Sequence, residues 1–150
     1  MPIHRLFLTG VFAVLMALAS AVRADTPVFF TDGSSAIKGF DTVAYFTMGK
    51  SVKGNADISV MWKGVIWRFA NQAHREQFEA NPRAFAPQYG GYCAYEVSNG
   101  NRVASEPKSW YIADGKLYLI RTLYIRTLWQ LDIPGHIERA NANWPGVLDD

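Results

Sequence analysis

The chain has 150 residues, with 15 Lys+Arg against 13 Asp+Glu and a formal net charge of +2. That length suits one domain with a real core. No Lys/Arg cluster is present, which excludes a basic face built to displace counterions from nucleic acid. Cys93 is the only cysteine, so no intramolecular disulfide can form.

His4 and Arg5 form a short basic start, and Leu6 to Leu18 is an apolar run of signal-peptide length, too short for a comfortable membrane span. Val22-Arg23-Ala24 fits a cleavage site, so residues 1–24 are predicted to be a signal peptide that directs the protein to the periplasm. The competing reading of the same run is an uncleaved N-terminal anchor. Loss of Arg5 and Arg23 would bring Lys+Arg from 15 to 13, level with the acidic residues. No later segment is apolar enough to span a bilayer. Residues 25–35 are polar and read as a loose lead-in to a domain over residues 36–146.

Asp41 is placed to cap a short helical turn through Val43, Ala44 and Tyr45. Ile58–Trp62 and Val65–Phe69 are β-branched and aromatic runs separated by Lys63-Gly64, a tight-hairpin signal. Asn71 is a predicted N-cap for a helix over residues 72–80 with a narrow stripe of Ala73, Gln77 and Phe78. Asn81-Pro82 stops that helix, and Pro82 starts a short one through Phe85. Trp110–Ile120 predicts a second hairpin about Asp114-Gly115. Leu123, Tyr124, Thr127, Leu128 and Leu131 have helical spacing. Pro134 suits the first turn of a last helix that Asp132 caps and that runs to about Asn143, with Trp144-Pro145 as the end of the fold. The expected architecture is α+β: two hairpins forming a small antiparallel sheet with helices packed on it.

The centre of interest is Pro87-Gln-Tyr-Gly-Gly-Tyr-Cys-Ala-Tyr-Glu96. Gly90 and Gly91 allow a sharp bend just before Cys93. Tyr89, Tyr92 and Tyr95 wall a half-buried thiol, and Glu96 lies close enough to raise its pKa. Tyr89, Gly90, Gly91, Tyr92, Tyr95 and Glu96 are therefore the candidate ligand pocket. An unpaired cysteine in an exported protein is buried and inert, pairs with another molecule, or binds something. As a soft ligand it suits Cu(I) or a similar ion. The other candidate donors are His74, His136 and Met48, all without CxxC or HxxxH spacing, which argues against a closed zinc site within one chain. A site shared between two copies, and with it a homodimer, also fits. The plain alternatives are a rim histidine for His74 and for His136, an exposed hydrophobe for Met48, and core filling for Met61. A thiol enzyme needs a base and an orienting group near Cys93, and no spacing supports that.

Gly39-Phe-Asp-Thr-Val-Ala-Tyr-Phe46, Ala86-Pro-Gln-Tyr-Gly-Gly-Tyr-Cys-Ala-Tyr95, Asp114-Gly-Lys-Leu-Tyr-Leu119, Asp132-Ile-Pro-Gly135 and Ala142-Asn-Trp-Pro145 recur in an order that resembles the YHS-domain proteins of bacterial periplasms. The resemblance spans roughly residues 36–146. It implies a domain associated with heavy-metal handling, often copper; Cys93 as the metal contact is the expectation from its soft thiolate, and no enzyme activity is expected. The chain departs from the family at Ile120-Arg-Thr-Leu123, where many relatives carry Asn and Tyr. Two functions follow as expectations: an exported module handling a copper-like ion through Cys93, or a metal-free module for a small ligand or partner protein in which Cys93 is structural.

Overall fold

A computed structural model describes residues 27–150, so the predicted signal peptide lies outside the described residues. The fold is α+β: two small sheets with six short helices packed against them. The strands are β1 (Thr31–Asp32), β2 (Ser35–Ala36), β3 (Asn55–Trp62), β4 (Val65–Phe69), β5 (Glu106–Ala113) and β6 (Lys116–Ile120). The helices are α1 (Ala44–Thr47), α2 (Gln72–Ala80), α3 (Pro82–Phe85), α4 (Ala94–Ser98), α5 (Leu123–Gln130) and α6 (Ile133–Asn143).

Both predicted hairpins are present. Lys63 and Gly64 have φ of 49° and 76°, and Asp114 and Gly115 have 49° and 70°, the positive pair that a type I′ turn requires. The hairpins do not share a sheet, however. β3 and β4 belong to a four-stranded sheet ordered β1-β2-β4-β3, while β5 and β6 pair alone. The first sheet is completed by a parallel bridge between Ser35 and Ile66. Its remaining strands come from the segment read as a loose lead-in, which instead buries Phe29 and pairs Thr31 with Ala36.

The helix caps follow the sequence. Asn71 accepts from the His74 amide at 2.8 Å, Thr122 from Ile125 at 3.1 Å and Asp132 from Gly135 at 3.1 Å. The inward faces differ from the reading. On α2 the buried pair is His74 and Phe78, at i and i+4, while Ala73 and Gln77 face out. On α5 the buried residue is Trp129, and Leu123, Tyr124 and Leu131 are exposed. Met61 is exposed rather than core, because Ile58, Val60 and Trp62 of β3 pack on the core and Met61 lies on the opposite face of the strand. Trp144-Pro145 does not end the fold, since a turn at Gly146–Leu148 buries Val147 and Leu148.

Two buried clusters result. One gathers Trp67, Phe69 and Phe78 under the first sheet with Val43 and Tyr45 of the α1 region. The other gathers Tyr89, Cys93 and Val97 with Trp129, Ala140 and Leu148. β6 serves both: Leu117 and Leu119 enter the first cluster, Tyr118 and Ile120 the second. Period-two alternation makes that division automatic in an extended strand.

Candidate functional site

The bend before Cys93 is where glycine is demanded by sterics. Tyr89, Gly90 and Gly91 have φ of 53°, 61° and 80°. A Cβ at Gly90 would stand 1.7 Å from the Val28 carbonyl oxygen, so only glycine lets the two backbones meet. The Phe30 amide donates to the Gly90 carbonyl at 2.9 Å, and the Ser105 hydroxyl to the Gly91 carbonyl at 2.6 Å. These contacts deliver Cys93 to the N-terminal end of α4.

Cys93 is fully buried, not half-buried. Its Sγ accepts from the Arg121 amide at 3.2 Å, and its own amide donates to the Val103 carbonyl at 2.9 Å. Burial pushes the thiol above its usual value of 9.0, offset only in part by the N–H groups of Glu96 and Arg121 before the sulfur. A buried thiol of raised pKa is a poor nucleophile and a reluctant ligand. The segment that departs from the resembled family explains part of this seal. Ile120 is core, the Arg121 amide caps the sulfur while its guanidinium meets Glu96 at 3.3 Å, and Thr122 caps α5.

His74 is not a rim histidine. Its Nδ1 donates to Asp41 Oδ2 at 2.6 Å, and its Nε2 lies 3.1 Å from Thr47 Oγ1, which is also 3.1 Å from the Val43 carbonyl oxygen. Asp41 does cap the α1 turn as expected: Oδ1 accepts from Val43 and Ala44 at 2.9 and 3.3 Å. Its other oxygen also takes the Ala70 amide at 2.9 Å. A fully buried carboxyl group thus ties α1, α2 and the end of β4 together.

His136 packs between the rings of Trp129 and Tyr95, at 5.4 and 4.9 Å. Its Nδ1 meets Ser98 Oγ at 3.0 Å and Arg139 at 2.9 Å. Burial, with Arg139 beside it, lowers its pKa from the usual 6.5. Met48 stands exposed at the C-terminal end of α1.

The proposed donors therefore do not fit a copper site. Both ring nitrogens of His74 and the Nδ1 of His136 are committed to protein partners, Met48 faces out, and Cys93 is sealed. Among the described residues no group of three or more His, Cys, Asp or Glu side chains could hold a metal.

Among the described residues, the six predicted pocket residues divide between two separate depressions and buried packing. Tyr89 and Tyr92 are buried anchors whose hydroxyls donate to Asn141 Oδ1 at 2.9 Å and to the Pro27 carbonyl at 3.0 Å. Gly91 is buried backbone, and Tyr95 packs at a tilt against His136. Glu96 lines a depression of about 400 Å³ with Arg102, Val147 and Asp150. There Arg102 is already spent on the Leu148 carbonyl at 3.2 Å. Tyr89 and Gly90 line a second cleft, of about 200 Å³, which Cys93 does not line. Trp62 at the end of β3, Lys63 of the β3–β4 turn, Arg83 of α3, Phe29 and Trp144 also line it. The sequence reading took Lys63 only as a turn residue and assigned Arg83 no role. The signal was a Trp-Lys pair at a hairpin tip, but its partner walls lie far along the chain.

Among the described residues no helix is long and apolar enough to cross a membrane. No protein-family model, no curated protein and no solved structure matches the chain.

Proposed function

We propose that the protein is an exported, metal-free binding module that takes a small ligand at the cleft beside Tyr89 and Gly90, with Cys93 as a structural residue. One observation carries this reading: the sulfur is fully buried and accepts a backbone N–H, whereas the neighbouring cleft is open and ring-lined. Ligand sites combine ring surfaces with a few polar groups that fix orientation, and this shallow cleft sets Trp62, Tyr89 and Trp144 beside Lys63, Arg83 and Gln88. The ordered motifs around Asp41, Cys93, Asp114 and Trp144 support membership of the YHS-domain family, and the Leu6–Leu18 run followed by Val22-Arg23-Ala24 supports export.

The test has three readouts. The wild type and Cys93→Ser are titrated with Cu(I), and equal affinities are expected. A Cys93-dependent tight site would restore the metal reading. Protein isolated from the periplasm is denatured and its extract examined for a co-purifying small molecule. N-terminal sequencing of that protein is expected to begin at Asp25.

A further inference from the structure

The cleft between the β3–β4 turn and the Tyr89–Gly90 bend combines two features, ring walls anchored in the core and positive charge. Its rings are held in a fixed frame: Phe29 lies 5.5 Å from Trp62, and Tyr89 lies 6.1 Å from Trp144. Phe29 and Tyr89 are buried behind, while Trp62 and Trp144 stay half-exposed at the walls. The second feature is charge. Lys63 and Arg83 both line the cleft, and no Asp or Glu does so among the described residues. Neither cation forms an ion pair with a described carboxylate. The Lys63 ammonium sits 5.0 Å from the Trp62 ring centroid, which places positive charge directly over an aromatic wall.

Resting on the binding-module reading above, we propose that the cleft recognises a small aromatic carboxylate, its ring against Trp62 and Trp144 and its carboxylate between Lys63 and Arg83. Size supports this. A space of about 200 Å³ is below the ~300–1,000 Å³ that drug-sized ligands occupy, so a one- or two-ring molecule fills it. Shape and charge support it too. A flat ring makes offset or edge contacts with Trp faces. A carboxylate matches the planar fork of Arg83, with Lys63 adding a point charge. An aromatic amine would meet two like charges, and a neutral aromatic would leave both cations unpaired. The wall is preorganised, because Gly90 is pressed against the Val28 carbonyl and the Trp62 carbonyl is held by Trp67 Nε1 at 3.2 Å.

The experiment titrates the full chain with naphthoate, naphthamide and naphthylmethylamine, following tryptophan fluorescence and the indole N–H signals of Trp62 and Trp144 by NMR. Naphthoate is expected to bind about tenfold or more tighter than the amide. Its affinity should fall as salt rises. The double variant Lys63→Met/Arg83→Met, with an unchanged urea midpoint, should lose that preference and keep amide binding. Equal binding of acid and amide, or preference for the amine, overturns the carboxylate assignment and leaves the binding module standing. Failure of all three aromatics to move the Trp62 or Trp144 signals overturns the carboxylate assignment. If the periplasmic extract also holds no ligand, the binding-module reading falls with it.

Discussion

Removing the Asp41 side chain should be among the most damaging single changes away from the large rings. Asp41→Ala strips the acceptor from the Val43, Ala44 and Ala70 amides and from His74 Nδ1 in one step. Water does not reach the vacated space easily, since Asp41 is fully buried. Each buried donor left without a partner costs about 1–3 kcal/mol, and the Ala44 amide keeps a backbone acceptor in the Asp41 carbonyl. The losses overlap, and breaking a buried polar pair typically costs about 3–5 kcal/mol, so about 4 kcal/mol is expected. That is a large part of the ~5–15 kcal/mol that holds a domain together. Asp41→Asn should cost about half as much. It keeps Oδ1 for the α1 turn, and His74 can change tautomer to accept from the new amide. The Ala70 N–H then faces another donor. The assay is urea unfolding followed by tryptophan fluorescence, with constant m-values as the check on two-state behaviour. A cycle with His74→Ala should show a coupling of about 1–3 kcal/mol. Asp41→Ala within about 1 kcal/mol of wild type, or additivity with His74→Ala, would refute the reasoning.

Gly90→Ala should prevent accumulation of folded protein, because its Cβ would overlap the Val28 carbonyl and φ is already positive; normal yield and an unchanged melting temperature would contradict the close approach. The Cys93 thiol should resist a disulfide reagent in the native state at neutral pH and react at once in urea, and rapid native labelling would disprove the seal. Because its folded pKa is raised above 9.0, its contribution to stability is complete below about pH 9 and is lost as pH rises through the folded value; Cys93→Ala should flatten that alkaline limb of the urea midpoint. His136 has the opposite behaviour. Its folded pKa lies below 6.5, so the unfolded imidazole takes the proton first and stability falls as pH drops below about 6.5. His136→Gln should reduce that acid-side slope, and an unaltered slope would show that other groups govern it.

Local chemistry made much of the fold legible. Lys63-Gly64 and Asp114-Gly115 announce their turns because each needs two consecutive positive φ angles, and Asn71 and Asp132 announce helix starts through one hydrogen bond within three residues. What escaped depends on distant partners. β1 and β2 are two residues each, too short to show any period, and they exist because Ser35 meets Ile66. The buried state of His74 depends on a carboxyl group that lies 33 positions earlier in the chain. The apolar spacing on α5 correctly signalled a helix yet misdirected its face, since Trp129 alone outweighs the smaller residues in area removed from water. At the candidate site the bend was readable from Gly90-Gly91. The sulfur's lid was not, because it comes from Arg121, in the stretch where the resemblance lapses.

The strand Lys116–Ile120 is a party wall. Successive residues look into different rooms, Leu117 and Leu119 into one and Tyr118 and Ile120 into the other. Slippage of a single position would send the phenol of Tyr118 among the Trp67 and Phe78 rings and a leucine toward Trp129, spoiling both interiors at once. Neither half of the molecule is therefore free to melt by itself. A blow to the region around Asp41 should be felt at Cys93, although no bond joins them.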